Sequence, residues 1–165
     1  MYSIVFQEIR EFRSLGYTAY ASYSYDDLER KPGYLYGFLG TQGDKTFDGI
    51  DAFSGLIKDM PERVEKFNAS KEALLKSRAS NYITFRNKPS SVRYWMWKGY
   101  DHDPRAEVTE RIRKAEFKDV VGFYNRMIKD RPVTIMMSGP KSVSTKALSK
   151  YGKVTKLKYK QIIKE

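Results

Sequence analysis

Arg10 and Tyr17 stand seven residues apart in the stretch Glu8-Ile9-Arg10-Glu11-Phe12-Arg13-Ser14-Leu15-Gly16-Tyr17-Thr18-Ala19-Tyr20. A guanidinium fork and a phenol both donate hydrogen bonds to carbonyl oxygens. Aimed at one peptide carbonyl, they would orient it and stabilise an oxyanion developing there. The plain alternative is a solvated helix arginine and a sheet-edge tyrosine, and spacing alone leaves both open. The other chemistry-bearing residues are sparse: one histidine and no cysteine. No Ser/His/Asp triad is credible with a single histidine placed in a turn.

Asp101-His102-Asp103 offers an imidazole and two carboxylates. Zinc sites take three or four converging ligands, and adjacent residues rarely point at one ion. The spacing instead predicts a turn in which Asp101 or Asp103 caps the helix after Pro104. Gly40-Thr41-Gln42-Gly43-Asp44-Lys45-Thr46 falls where a phosphate loop would lie. Asp44 separates Gly43 from Lys45 and its charge would repel phosphate, so a plain turn is expected. Tyr94, Trp95 and Trp97 share one helical segment and read as core or domain-contact residues.

The elements that position these residues follow from periodicity. Val5, Ile9 and Phe12 give an apolar stripe, predicting a helix over 1–15 that Gly16 would end. Residues 17–25 alternate as a strand, and Gly33 to Gln42 reads as a second one. The polar loop 26–33 is too short for a parallel crossover, so the two strands pair antiparallel. A helix over 45–58 follows, capped by Asp44 or Thr46, with Phe47, Ile50, Phe53 and Ile57 inward. Asp59-Met60-Pro61 breaks it. Pro61 then opens a helix to about Ser80 with Val64, Phe67 and Leu74 inward. Helices over 86–98, 105–113 and 117–128 come next. The last carries Phe117, Val120, Val121, Tyr124, Met127 and Ile128 on one face. A short buried strand over 133–138, a helix over 144–150 and a strand over 153–158 complete an α+β order, with helices packed against one mainly antiparallel sheet.

The 165 residues fit one domain. With 41% hydrophobic, 31% charged and 15% aromatic residues, the composition is globular. No apolar run reaches the roughly 20 residues that cross a bilayer. Met1 sits directly at the start of a helical pattern, which predicts a first element cut short. Of the net charge of +11, residues 141–165 hold +7, from eight lysines against Glu165, and the other 140 residues hold +4. Lysines grouped with Tyr151 and Tyr159 could grip phosphates and stack bases. Their alternation with Val154 and Leu157 reads instead as one solvated strand face, which argues against nucleic acid.

Beyond these residue-level readings, the chain resembles the C-terminal domain of pitrilysin/insulinase-type zinc metallopeptidases, bacterial members in particular. The resemblance is carried by the Arg10-to-Tyr17 corner, Leu39-Gly40-Thr41-Gln42, Asp44-Lys45-Thr46 and Asp59-Met60-Pro61-Glu62. It continues through Arg86-Asn87, Gly99-Tyr100-Asp101-His102-Asp103-Pro104 and Leu148-Ser149-Lys150-Tyr151-Gly152-Lys153-Val154, and so spans nearly the whole chain. It implies the two-layer α/β fold of the mitochondrial processing peptidase. It implies that Arg10 and Tyr17 bind the peptide substrate, and that the zinc-bearing domain or subunit of the same peptidase supplies the metal. This chain lacks His-x-x-Glu-His, so no metal site, catalytic residue or cofactor is expected on it and no activity alone. The strands that precede the first helix in this family are missing, which predicts an open sheet edge that invites another segment, another chain or a homodimer. A periplasmic or secreted location is what the resemblance implies. Two readings of other classes stand beside it: a basic interaction module for nucleic acid or an acidic partner, and an inactive, purely structural domain of the same fold.

Overall fold

A computed structural model describes residues 8–9, 16–25, 32–140, 142–158 and 161. Among them are two strands, β1 (Thr18–Ser24) and β2 (Tyr34–Gly40), and six α-helices. The helices are α1 (Thr46–Lys58), α2 (Val64–Ser80), α3 (Lys88–Trp97), α4 (Arg105–Lys114), α5 (Phe117–Met127) and α6 (Thr145–Leu148). The chain is thus α+β. Of the helix expected over 1–15, Glu8 and Ile9 are described; the remainder, Arg10 included, lies outside the described residues.

The strands pair antiparallel as expected, in the register Thr18↔Gly40, Tyr20↔Phe38, Ser22↔Tyr36 and Ser24↔Tyr34. Side chains alternate across a strand, so Ala19, Ala21 and Tyr23 share a face with Leu35, Gly37 and Leu39. That face meets α1. A Cβ on Gly49 would sit 2.8 Å from Leu39 Cδ2, and one on Gly37 would overlap the Phe53 ring. Each element thus presents a glycine to a large side chain of the other. Ala19 and Ala52 are buried beside this seam.

Helix α5 joins the same layer. Phe123 meets Tyr23 edge-on at 4.9 Å between ring centroids. The buried Tyr124 donates its hydroxyl to the carbonyls of Lys58 (2.5 Å) and Ile57 (3.1 Å). These oxygens end α1, where helical carbonyls lack intrahelical partners. A reciprocal capping box between Glu116 and Asp119 starts α5. Helix α2 turns toward α4 and α5 instead. Phe67 meets Phe117 at 6.0 Å, Lys71 Nζ donates to the Ala115 carbonyl at 2.7 Å, and Arg78 Nε donates to Thr109 Oγ1 at 3.2 Å.

Several expectations are corrected. Neither Asp44 nor Thr46 caps α1; a 3₁₀ turn, Gly43–Lys45, leads into it, and Thr46 donates its hydroxyl back to the Gly43 carbonyl at 2.8 Å. Helix α2 starts three residues after Pro61, and its Val64 and Leu74 are exposed, because its contact face runs through Phe67, Lys71 and Arg78. Val120 and Met127 are also exposed at the margin of the α5 face. Residues 133–138 form no buried strand: Val133 is 59% exposed and Met136 89%. Residues 153–158 form no strand either and are exposed throughout, so their lysines do not line one face of a ladder.

Burial is sparse. Among the described residues the buried apolar set is Ile9, Ala19, Ala52 and Tyr124. No described helix is long and apolar enough to cross a membrane.

Tyr124→Phe removes the bond that closes α1 while keeping the ring, so unfolding in urea should show a loss of about 1 kcal/mol. Gly37→Val forces a side chain into the Phe53 ring and should cost about 1–3 kcal/mol in the same assay. An unchanged midpoint in both variants would refute the α1 seam.

Candidate substrate-binding corner

Tyr17 sits at the corner where the chain enters β1. Gly16 allows that corner by close approach: a Cβ there would lie 2.5 Å from the Gly40 carbonyl oxygen and 2.7 Å from Leu39 Cδ1. The Tyr17 amide donates to the Gly40 carbonyl at 3.0 Å and fixes the residue against the end of β2. Its ring is 77% exposed, so the phenol is presented to solvent from a fixed backbone. Upstream, Ile9 is fully buried, and Glu8 accepts from Arg63 Nη2 at 2.9 Å. The polypeptide is therefore anchored on both sides of the stretch that carries Arg10. How Arg10 stands toward Tyr17 lies outside the described residues.

The outer face of the sheet continues from this corner. Tyr20 stacks on Phe38 at 5.5 Å with 22° between ring planes, and meets Tyr36 edge-on at 6.5 Å. Tyr34 lies 6.2 Å from Tyr36. All four rings are exposed, and Thr18, Ser22 and Ser24 lie between them on the same face. Sequence reasoning missed this plate, although the odd-even positions of the rings signal it once the register is known. The face contains no lysine or arginine, so it lacks the cations that a nucleic-acid stacking platform interleaves with its rings.

The Asp101-His102-Asp103 segment is a cap, as expected. Asp103 Oδ1 accepts from the Arg105 amide at 3.0 Å and holds its guanidinium, which lies 5.6 Å over the Trp95 ring. Both His102 nitrogens are engaged, Nδ1 with Asp101 at 2.6 Å and Nε2 with Glu107 at 2.7 Å. Glu107, one turn into α4, is the partner that sequence reasoning missed. No group of three or more His, Cys, Asp or Glu side chains that could hold a metal occurs among the described residues. Gly43–Lys45 forms a plain 3₁₀ turn. Trp97 is half exposed on α3, with the Tyr94 ring 6.1 Å away and tilted by 33°.

A second unforeseen cluster ties the C-terminal region to α1. Tyr151 donates its hydroxyl to Asp51 Oδ1 at 2.6 Å, and Lys150 reaches Asp51 Oδ2 at 3.2 Å. The Tyr151 hydrogen bond, then that of Lys150, holds the Asp51 carboxyl below its ordinary value. Burial, then the bond to Asp51, pushes the Tyr151 phenol up. An open groove of about 660 Å³ lies alongside, lined in part by Glu8, Asp51, Asp59, Asp130, Lys58 and Lys129. Of its acids, Glu8 is paired with Arg63, and Asp51 with Lys150 and Tyr151.

No protein-family model matches the chain, and no curated protein matches it.

The hydrogen bonds to Asp101 and then Glu107 raise the His102 pKa above its ordinary 6.5. The folded chain therefore holds that proton where the unfolded chain releases it. The stabilisation is complete below the unfolded value and is lost as pH rises through the folded one. The melting temperature of the wild type should fall relative to His102→Gln between about pH 6 and pH 8. A constant difference across that range would refute the link.

Proposed function

We propose that this chain is the substrate-side, non-zinc domain of a pitrilysin/insulinase-type metallopeptidase, with the two-layer fold of the mitochondrial processing peptidase. The observation that carries the reading is the Tyr17 phenol, exposed at a corner whose backbone is fixed by the bond to Gly40, together with Arg10 seven residues upstream. The resemblance of the motifs along the chain supports it, as does an α+β order in which helix contacts fall on one face of an antiparallel pair.

In this reading Tyr17 donates to a carbonyl oxygen of the bound peptide. Arg10 provides a second, charged donor. Donors fixed before the reaction act most strongly where charge develops on the scissile carbonyl oxygen. A metal held by the partner domain would supply the Lewis acid for that carbonyl and for the attacking water. The present chain closes the other side of the peptide-binding chamber. The exposed aromatic plate, Tyr20, Tyr34, Tyr36 and Phe38, supplies apolar surface next to the corner.

Two measurements test the proposal. In the peptidase reconstituted with its zinc-bearing partner, Arg10→Ala and Tyr17→Phe should each lower kcat/KM for peptide hydrolysis, by up to about 100-fold for a donor to the oxyanion. Unchanged turnover in both would remove the site assignment. Metal analysis of the purified chain should return no stoichiometric zinc; one tightly held zinc per chain would sink the division of labour.

A further inference from the structure

Between Glu72 and Asp101 the chain carries six cations, Lys76, Arg78, Arg86, Lys88, Arg93 and Lys98, and no acid. Three of them are engaged. Lys76 pairs with Glu72, and Arg78 donates to Thr109 and to the Arg105 carbonyl. Lys98 lies over the Tyr25 and Tyr94 rings, with Asp26 and Asp27 next to Tyr25 in sequence. The other three, Arg86, Lys88 and Arg93, are exposed and meet no carboxylate among the described residues. The acids that follow α3 are also taken, Asp101 and Glu107 by His102 and Asp103 by Arg105. Arg86 and Lys88 bracket the start of α3, whose first turn holds no acid, so the positive end of the helix adds to their field.

Exposed rings flank these three cations. Tyr82 and Phe85 are 78% and 76% exposed, and the Arg86 guanidinium lies 5.7 Å over the Phe85 ring. Trp97 is half exposed one turn beyond Arg93, on the same face of α3. Cations that hold a phosphate backbone and rings on which bases stack are the two parts of a single-strand nucleic-acid site. The plate on β1 and β2 has only the rings. Two other anionic partners fit less well. A helix that lies in a membrane surface segregates its apolar residues from its cations. Helix α3 mixes them, with Arg93 beside Trp97 and Lys88 beside Val92, four residues apart in each case. A polypeptide interface gathers its aromatic anchors in one dry pocket. Among the described residues no ring contact joins Tyr82, Phe85 and Trp97.

We infer that the segment from Tyr82 to Trp97 binds single-stranded nucleic acid without sequence preference. Arg86, Lys88 and Arg93 hold phosphates, and Tyr82, Phe85 and Trp97 offer stacking surfaces to bases. This goes beyond the peptidase reading and does not rest on it: Arg10 and Tyr17 carry that reading, and none of these six residues belongs to their corner.

The test follows the anisotropy of a fluorescein-labelled oligothymidylate of about 15 nucleotides as the purified full chain is added. Binding should saturate and should weaken as salt rises. An abasic strand with the same number of phosphates should bind about tenfold more weakly, because stacking is lost. Tyr82→Ser combined with Phe85→Ser should weaken oligothymidylate binding by about tenfold or more and leave its salt dependence unchanged. Arg86→Gln, Lys88→Gln and Arg93→Gln combined should reduce the slope of log affinity against log salt by about 2, at about 0.7 per phosphate on a single strand. All five side chains are exposed, so the circular dichroism of both variants should stay that of the wild type. Equal binding of the abasic strand to the wild type would overturn the inference, as would a triple variant that keeps the wild-type slope through the lysines of the C-terminal region. So would polyglutamate or phosphatidylglycerol vesicles that displace the oligonucleotide at equal charge, or the absence of saturable binding.

Discussion

The rest of the molecule depends on the contact between α1 and the inner face of the β1–β2 pair. Glycines alternate with large side chains across it, Gly37 under Phe53 and Gly49 under Leu39, so backbone and ring approach closely. Small residues, Ala19 and Ala52, fill the margin. A two-stranded ribbon has little stability of its own, and this seam gives it a partner. The same helix anchors two remote parts of the chain. Tyr124 ties α5 to its C-terminal carbonyls, and Tyr151 reaches Asp51 and the Phe47 carbonyl in its first half.

A second layer hangs from this frame by polar contacts. Helix α2 carries a weak apolar stripe and is held at one end by Phe67 and along its length by Lys71 and Arg78. Side chains of that kind cover surface with their methylene stems while their heads find carbonyls and hydroxyls. The arrangement leaves many apolar residues in water, among them Tyr82, Phe85, Met96 and Trp97 around α3.

What could be read from the sequence follows which signals are local. The alternation in 17–25 and 33–42 located both strands and their antiparallel sense, since the side chains of a half-buried strand declare its faces. Among the described residues, the glycine and proline breaks located the long helices to within a few residues. Facing was harder: Val64 and Leu74 looked inward because periodicity ranks residues by polarity, whereas α2 turns Lys71 and Arg78, half-buried, to its contact face by giving each an oxygen. The strand over 133–138 failed for a different reason. A strand exists only when a neighbour completes its ladder, and no sequence pattern states whether that neighbour is present. For the candidate site, the position of Tyr17 at the entrance to β1 was legible from Gly16. The aromatic plate was not, because it emerges only from the pairing of Tyr20 with Phe38 and Ser22 with Tyr36. His102 was legible as part of a turn, but its bond to Glu107 required the first turn of α4 to fold back over it.

Helix α3 holds both tryptophans of the chain, Trp95 beneath the Arg105 guanidinium and Trp97 half in water. Tyr20, Tyr23, Tyr34 and Tyr36 lie in β1 and β2. Ultraviolet emission excited at the red edge therefore reports one helix and its turn with α4. The molecule thus carries one built-in optical reporter with a single address, and indole emission that changes before or after the loss of circular dichroism during unfolding would show the α3–α4 region parting company with the rest.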